Sequence, residues 1–193
     1  MAVTVGVLVF DKVDELDFVG PLNVFGAAGW GRDDTSVVTI GRERGPFESG
    51  NGLAFSAKHD FSDAPPLDVL VVPGGYGTDQ LVKDDTVLNW IRDVAASAQW
   101  VCSVCTGSFV LQAAGLTQGR RITSHSGALK ALRSSGPGEV IEGTRYVADG
   151  NLVTAAGVSA GIDMALWLVG QIFGEEHARA VQGLIEYRPE PPY

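Results

Sequence analysis

The sequence predicts an α/β fold, with a mostly parallel sheet covered by helices on both faces. Three observations predict it. Four short apolar runs, several of them β-branched, are hydrophobic on consecutive residues, as strands buried on both faces are. Helical patterns lie between the runs, which is the alternation of an α/β protein. One Asp-Gly pair, Asp149-Gly150, sits between two further strand-like runs and marks a tight hairpin.

The elements follow in order. "VTVGVLVF" (Val3 to Phe10), "TSVVTIG" (Thr35 to Gly41), "DVLVVPGG" (Asp68 to Gly75) and "WVCSVC" (Trp100 to Cys105) read as strands. "DDTVLNWIRDVAASA" (Asp84 to Ala98) places Val87, Trp90, Ile91 and Val94 on one stripe at helical spacing. "TGSFVLQAAG" (Thr106 to Gly115) reads as a helix ending in a C-terminal glycine. "TRYVADGNLVTA" (Thr144 to Ala155) is the hairpin. "SAGIDMALWLVGQIFG" (Ser159 to Gly174) is apolar on several faces and reads as a buried helix, and "EEHARAVQGLIEY" (Glu175 to Tyr187) as an amphipathic one. The tail "RPEPPY" cannot continue it, because proline lacks the amide donor. No repeat or linker divides residues 1–193, so one domain is expected.

Composition narrows the function classes. The chain has 193 residues, 45% apolar and 19% charged, which suits a globular protein. Its net charge of -9 argues against nucleic acid and anionic membrane as partners, since both need clustered lysine and arginine. The apolar start is too short to span a bilayer and lacks the basic opening of a signal peptide. Two cysteines are too few for a secreted disulfide framework. A cytoplasmic location is expected.

Both cysteines lie in "WVCSVCTGSFVLQAAGL" (Trp100 to Leu116). Cys102 falls within a strand, where core packing is its expected role. No second pair of cysteines or histidines stands at ligand spacing, so no metal site is expected. Cys105 falls at the corner between strand and helix. There a helix N-terminus would stabilise a thiolate, and "TGS" lets the chain turn, as in a nucleophile elbow. A buried structural cysteine would fit the same position. "PGGYG" (Pro73 to Gly77) ends another strand, and the N–H groups of Gly74 and Gly75 could join those of Cys105 and Thr106 in an oxyanion hole. After the first strand, "DKVDELDFVGPLNVFG" carries Asp14, Glu15 and Asp17. Spacing favours a helix cap, while any of the three could instead reach the thiol with a protonated carboxyl. His125, which opens a helix after a strand-like run, and Tyr76 are candidates to line a pocket near Cys105. His59 and His177 read as surface residues.

Taken together, "LDFVGP" (Leu16 to Pro21), "PGG" (Pro73 to Gly75), "SVCTGSFVLQAAGL" (Ser103 to Leu116), "GRRITSH" (Gly119 to His125), "DGNLVTAAGVSAGIDMALWL" (Asp149 to Leu168) and "EYRPEPPY" resemble the DJ-1/PfpI (ThiJ/PfpI) superfamily, nearest its isonitrile hydratase (isocyanide hydratase) branch. The resemblance implies a flavodoxin-like three-layer α/β sandwich, class I glutamine amidotransferase-like, and a homodimer. It implies a reactive cysteine at Cys105 and selects Asp17, four residues before the proline of "GP", as its acidic partner. Thr106 stands where protease-like relatives have histidine, and agrees with the hydratase branch, where its hydroxyl can bond near the thiol. "SHS" (Ser124 to Ser126) departs from that branch's "THW", and the branch carries a C-terminal extension beyond the position of Tyr193. The implied function is cofactor-independent addition of water to a small-molecule isonitrile. A glyoxalase- or deglycase-like enzyme using His125 as base, and a non-catalytic redox or ligand sensor, are the alternatives.

Overall fold

In the computed structural model, which describes residues 2–190, the chain opens with β1 (Val3–Leu8), α1 (Glu15–Ala28) and β2 (Thr35–Gly41). Three two-residue strands follow: β3 (Phe47–Glu48), β4 (Ala54–Phe55) and β5 (His59–Asp60). Next come β6 (Val69–Val72), α2 (Thr78–Leu81), α3 (Asp85–Ala95), β7 (Trp100–Val104), α4 (Gly107–Ala113), β8 (Arg121–Ile122), α5 (Leu129–Ser135) and β9 (Glu139–Val140). The hairpin strands β10 (Tyr146–Asp149) and β11 (Leu152–Ala155) precede α6 (Ala160–Phe173) and α7 (Glu175–Leu184).

The main sheet has the order β10-β11-β7-β6-β1-β2-β5. Every neighbouring pair in it is parallel except β10 with β11. Helices α1, α6 and α7 pack together over one face, and α4, with α2, α3 and α5 against it, covers the other. This double cover explains the unbroken hydrophobicity of the central strands. Val5, Val7, Val69, Leu70, Val71 and Val72 are wholly buried, so neither face of the strand has a polar side to show.

The expected strands and long helices form, with shifts at their ends. The run ending in "PGG" stops as a strand at Val72, and the glycines turn. The helix expected from Asp84 is capped there, Asp84 Oδ1 accepting from Thr86 N and Val87 N at 3.0 and 3.3 Å. Gly150, at φ 58, makes the hairpin turn. Residues 188–190 of the tail leave the last helix, and 191–193 lie outside the described residues. Among the described residues no helix is long and apolar enough to cross a membrane.

Topology places the site. From the centrally placed β1 the chain steps out to β2 on one side and then returns to β6 on the other. Loops leaving the carboxyl ends of β1 and β6 therefore part in opposite directions and leave a crevice between them. The loop before α1, the "PGGYG" turn and Cys105 all rise from this end.

Gly107 opens α4 pressed against the end of β6. A Cβ there would run into the Val72 carbonyl and lie 2.8 Å from the Pro73 carbonyl. Gly107→Ala is expected to lower unfolding stability by about 2 kcal/mol or more. Gly183→Ala, which meets no atom within 4 Å in α7, should raise it by about 0.5 kcal/mol. Urea unfolding of both variants checks the pair.

Candidate active site

The crevice is closed at its base by backbone. Asp14 N donates to Gly74 O at 3.0 Å, Gly77 N donates to Lys12 O at 3.2 Å, and Val13 bridges Gly75. Gly75 has φ 125, and a Cβ on it would collide with Asp14 N and Lys12 O. No residue with a side chain fits that turn. A Cβ on Gly74 would lie 2.6 Å from Thr106 Oγ1 and 2.8 Å from Asp17 Oδ2. The two glycines thus let α1 and the Cys105 corner approach each other through the turn.

Cys105 sits at φ 55, a left-handed conformation that a cysteine rarely adopts. Such a residue costs about 1–3 kcal/mol and persists only when its surroundings over-determine it. Here they do. Cys105 N donates to Ala155 O and Ala156 O at 3.2 and 3.1 Å, tying the corner to the end of β11. Its carbonyl accepts from Ser108 Oγ at 3.1 Å and from Ser124 Oγ at 2.8 Å, both serines fully buried or nearly so. The backbone N–H groups of Thr106 and Val158 favour charge on the sulfur. Val158 is itself at φ 37, unusual for a β-branched residue. Two strained corners meet at one sulfur.

Asp17 is fully buried in the first turn of α1. Its two neighbours in the acid cluster take other tasks: Asp14 caps the helix by accepting from Leu16 N at 3.1 Å, and Glu15 binds the 49–51 turn. Asp17 Oδ2 accepts from Gly74 N at 2.9 Å, while Oδ1 is buried without a hydrogen-bond partner. Burial pushes its pKa up to about 7, with the Asp14 charge adding to the rise. The Gly74 N–H and the Cys105 thiol pull it back. The thiol thus acts on Asp17 as a donor would, although no well-formed S–H···O bond joins them. Burial pushes the Cys105 thiol up to about 12, and the Asp17 charge adds to that rise, against the Thr106 and Val158 N–H groups. Like charges in one dry site disfavour double ionisation, so thiol and carboxyl titrate as a pair.

The structure corrects several expectations. The helix start does not set the thiol's pKa; α4 is two turns long, and burial with the Asp17 charge outweighs it. The Gly74 N–H is committed to Asp17, and the Gly75 N–H donates to Thr106 Oγ1 at 3.0 Å. Neither points freely at a reacting anion, and the Cys105 N–H is spent on β11. The Thr106 hydroxyl faces the glycine turn, lying 3.3 Å from Thr78 Oγ1, rather than the thiol. It is the Thr106 amide that favours charge on the sulfur. Cys102 is a wholly buried strand residue whose thiol is pushed up by burial.

Above Cys105 lies a cavity of about 370 Å³, lined by Asp14, Asn51, Tyr76, His125 and Val158 among others. His125 and Tyr76 therefore do share a wall with Cys105. His125 Nδ1 accepts from Gly127 N at 3.1 Å, and its ring fills the space beside Gly157. Tyr76 is 83% exposed at the rim. Sequence reasoning missed Ser108, Ser124 and Val158, which act on Cys105 through backbone and hydroxyl contacts that leave no spacing signal. Among the described residues no group of three or more His, Cys, Asp or Glu could hold a metal ion.

Comparison with known proteins gives a consistent result. A family model described as the DJ-1/PfpI family matches residues 3–171. The isonitrile hydratase of Pseudomonas putida is 42% identical over 193 residues, spanning 100% of this chain and 82% of the relative. A ThiJ/PfpI family protein from Pseudomonas syringae superposes with a TM-score of 0.92 at 34% identity, covering 100% of this chain and 78% of that one. Drosophila melanogaster DJ-1beta, at 21% identity, shares the fold with a TM-score of 0.85 over 97% of this chain and 100% of its own.

The raised pKa of Asp17 has a consequence for stability. Its folded value of about 7 lies above the unfolded value of about 4, so folding favours the protonated acid. That contribution is complete below about pH 4 and is lost as pH rises through about 7. Asp17→Asn, which cannot ionise, is expected to be more stable than the parent at pH 8 by on the order of 2 kcal/mol, and the advantage should shrink towards pH 5. Thermal melting across that range checks it.

Proposed function

This chain belongs to the DJ-1/PfpI family, and on that premise we propose that it is a cofactor-independent, cysteine-dependent enzyme that adds water to isonitriles, giving N-substituted formamides. The observation that carries the reading is the Cys105 thiol held at a strained corner against the buried carboxyl of Asp17. Full-length similarity to an isonitrile hydratase supports the choice of reaction.

The chemistry follows from the shared proton. Cys105 Sγ attacks the terminal carbon of R–N≡C as Asp17 takes the thiol proton. The Thr106 and Val158 N–H groups steady the sulfur's charge before the bond forms. Attack leaves an electron pair on the former isonitrile carbon. Asp17 passes the proton there, giving the thioimidate R–N=CH–S–Cys105. Asp17, now a carboxylate, takes a proton from water as that water adds to the carbon, and passes it to the nitrogen, giving R–NH–CH(OH)–S–Cys105. It then takes the hydroxyl proton as the adduct collapses, the C–S bond breaks and R–NH–CHO leaves. That proton returns from Asp17 to the expelled thiolate. An acid whose pKa lies near the working pH suits both halves of this exchange.

The same reading takes in a small-molecule substrate, one domain over residues 1–193, a homodimer and a cytoplasmic location. A glyoxalase-like reaction would need His125 as a base. Its Nδ1 is occupied by the Gly127 N–H, and it shows no hydrogen bond to the Cys105 thiol, so the acid–thiol pair is preferred.

Cys105→Ala is expected to abolish formamide formation from simple alkyl isonitriles, followed by chromatography of the product. For the parent, kcat/KM should fall about tenfold per pH unit below about 7, as the pair takes up a second proton. Retained turnover in Cys105→Ala would sink the reading.

A further inference from the structure

We infer that Glu15 is a specificity-determining positioning residue: its carboxylate fastens the 49–53 turn, and that turn is the outer wall limiting the size of what reaches Cys105. As a statement about substrate choice, it rests on the reading of Cys105 as the nucleophile.

The wall is built from the tip of the β3–β4 connection. Gly50 and Asn51 line the cavity that holds Cys105. The base of the connection is well anchored. Gly50 N donates to Val13 O at 2.8 Å, Glu48 N donates to Asp11 Oδ1 at 2.9 Å, and Lys12 pairs with Glu48. The tip closes on itself, Ser49 N donating to Leu53 O at 2.9 Å and Gly52 N to Ser49 O at 3.2 Å, but no backbone–backbone bond ties residues 51–53 to the rest of the described chain. Asn51, Gly52 and Leu53 are exposed, Gly52 stands at φ 94, and no buried apolar side chain holds them down.

Glu15 supplies the missing hold from α1. It accepts from Asn51 N at 2.8 Å, from Asn51 Nδ2 at 2.6 Å, and from the Ser49 hydroxyl. Ser49 is fully buried, and its Oγ also accepts from Leu53 N at 2.8 Å, so the hold passes through Ser49 to the far side of the turn. Those donors keep the Glu15 carboxyl down at about 2, so the latch stays ionised through the neutral range. Asp14 and Asp17 cannot substitute. Asp14 is spent on Leu16 N, and Asp17 points inward to Gly74. One helix start therefore carries a cap, a wall fastener and the thiol's partner within four residues. The fastener sits two residues from Asp17, the partner of the thiol whose access it controls.

Hydrogen bonds to a charged group are among the stronger ones, and a turn held by few contacts opens locally when they go. Two readouts test this on the full chain with Glu15→Ala and Glu15→Gln. The first is amide hydrogen exchange of residues 49–53. The second is the ratio of Cys105 alkylation rates with a fluorescein-bearing iodoacetamide and with iodoacetamide itself. In Glu15→Ala, exchange and the large-to-small ratio should both rise about tenfold or more. In Glu15→Gln both should stay near the parent, because the amide oxygen still accepts from Ser49 Oγ and Asn51 N, and its NH2 donates to Asn51 Oδ1 once that side-chain amide turns over, while the helix loses the same charge. Unchanged exchange in a folded Glu15→Ala would overturn the inference, as would equal effects of both variants, which would assign the change to charge at the helix start. Faster exchange without a change in the alkylation ratio would overturn the size limit. A Cys105 inert to both reagents, with exchange accelerated in Glu15→Ala alone, would sink the nucleophile reading and leave Glu15 as the fastener of the turn.

Discussion

One buried carboxyl facing one buried thiol is the constraint around which this end of the molecule is built. Removing Asp17 from water makes its charge costly, and a single hydrogen bond from Gly74 N does not offset that cost. The same burial makes the Cys105 thiolate costly. Neither group can ionise without raising the cost for the other, so the doubly ionised state is disfavoured. What would be a defect in a structural core is a means of moving a proton in a reaction.

Much of the surrounding geometry serves to hold that pair in place. The parallel order of the sheet brings the ends of β1, β6, β7 and β11 to one level. Two glycines remove side-chain bulk so that α1 and the cysteine corner can meet across the "PGG" turn. Bonds from Ser108, Ser124 and the end of β11 hold Cys105 in a conformation it would otherwise leave. The amide of Val158, a residue at positive φ, also favours charge on the sulfur. Each of these acts on Cys105 without itself being a reacting group.

The legible and illegible parts of the sequence differ for a physical reason. Strands buried on both faces must be apolar throughout, so Val3–Leu8, Val69–Val72 and Trp100–Val104 announced themselves. The hairpin did so through Asp149-Gly150, because a tight turn demands a positive φ. Cys105 was legible as a corner residue. The two-residue strands β3, β4, β5 and β9 were not, since two residues carry no period, and β8 showed only as the strand-like run before His125. Spacing alone did not separate Asp14, Glu15 and Asp17; only burial does, and burial depends on which side of α1 meets the glycine turn. The resemblance to a family selected Asp17 where residue patterns did not. The glycine N–H groups looked like an oxyanion hole because a sequence shows donors and hides the partners that occupy them. Ser124, Val158 and Asn51 reach their targets across 19, 53 and 36 residues of chain, and no local pattern records such contacts.

The central claim is that Cys105 carries the isonitrile carbon during turnover with Asp17 as its proton partner. Rapid acid quenching during turnover, followed by proteolysis and mass spectrometry, tests it most directly. The account predicts a mass increase of one isonitrile on the peptide bearing Cys105, localised to that sulfur. Formamide production with no adduct on Cys105, or with the adduct on another residue, would contradict it.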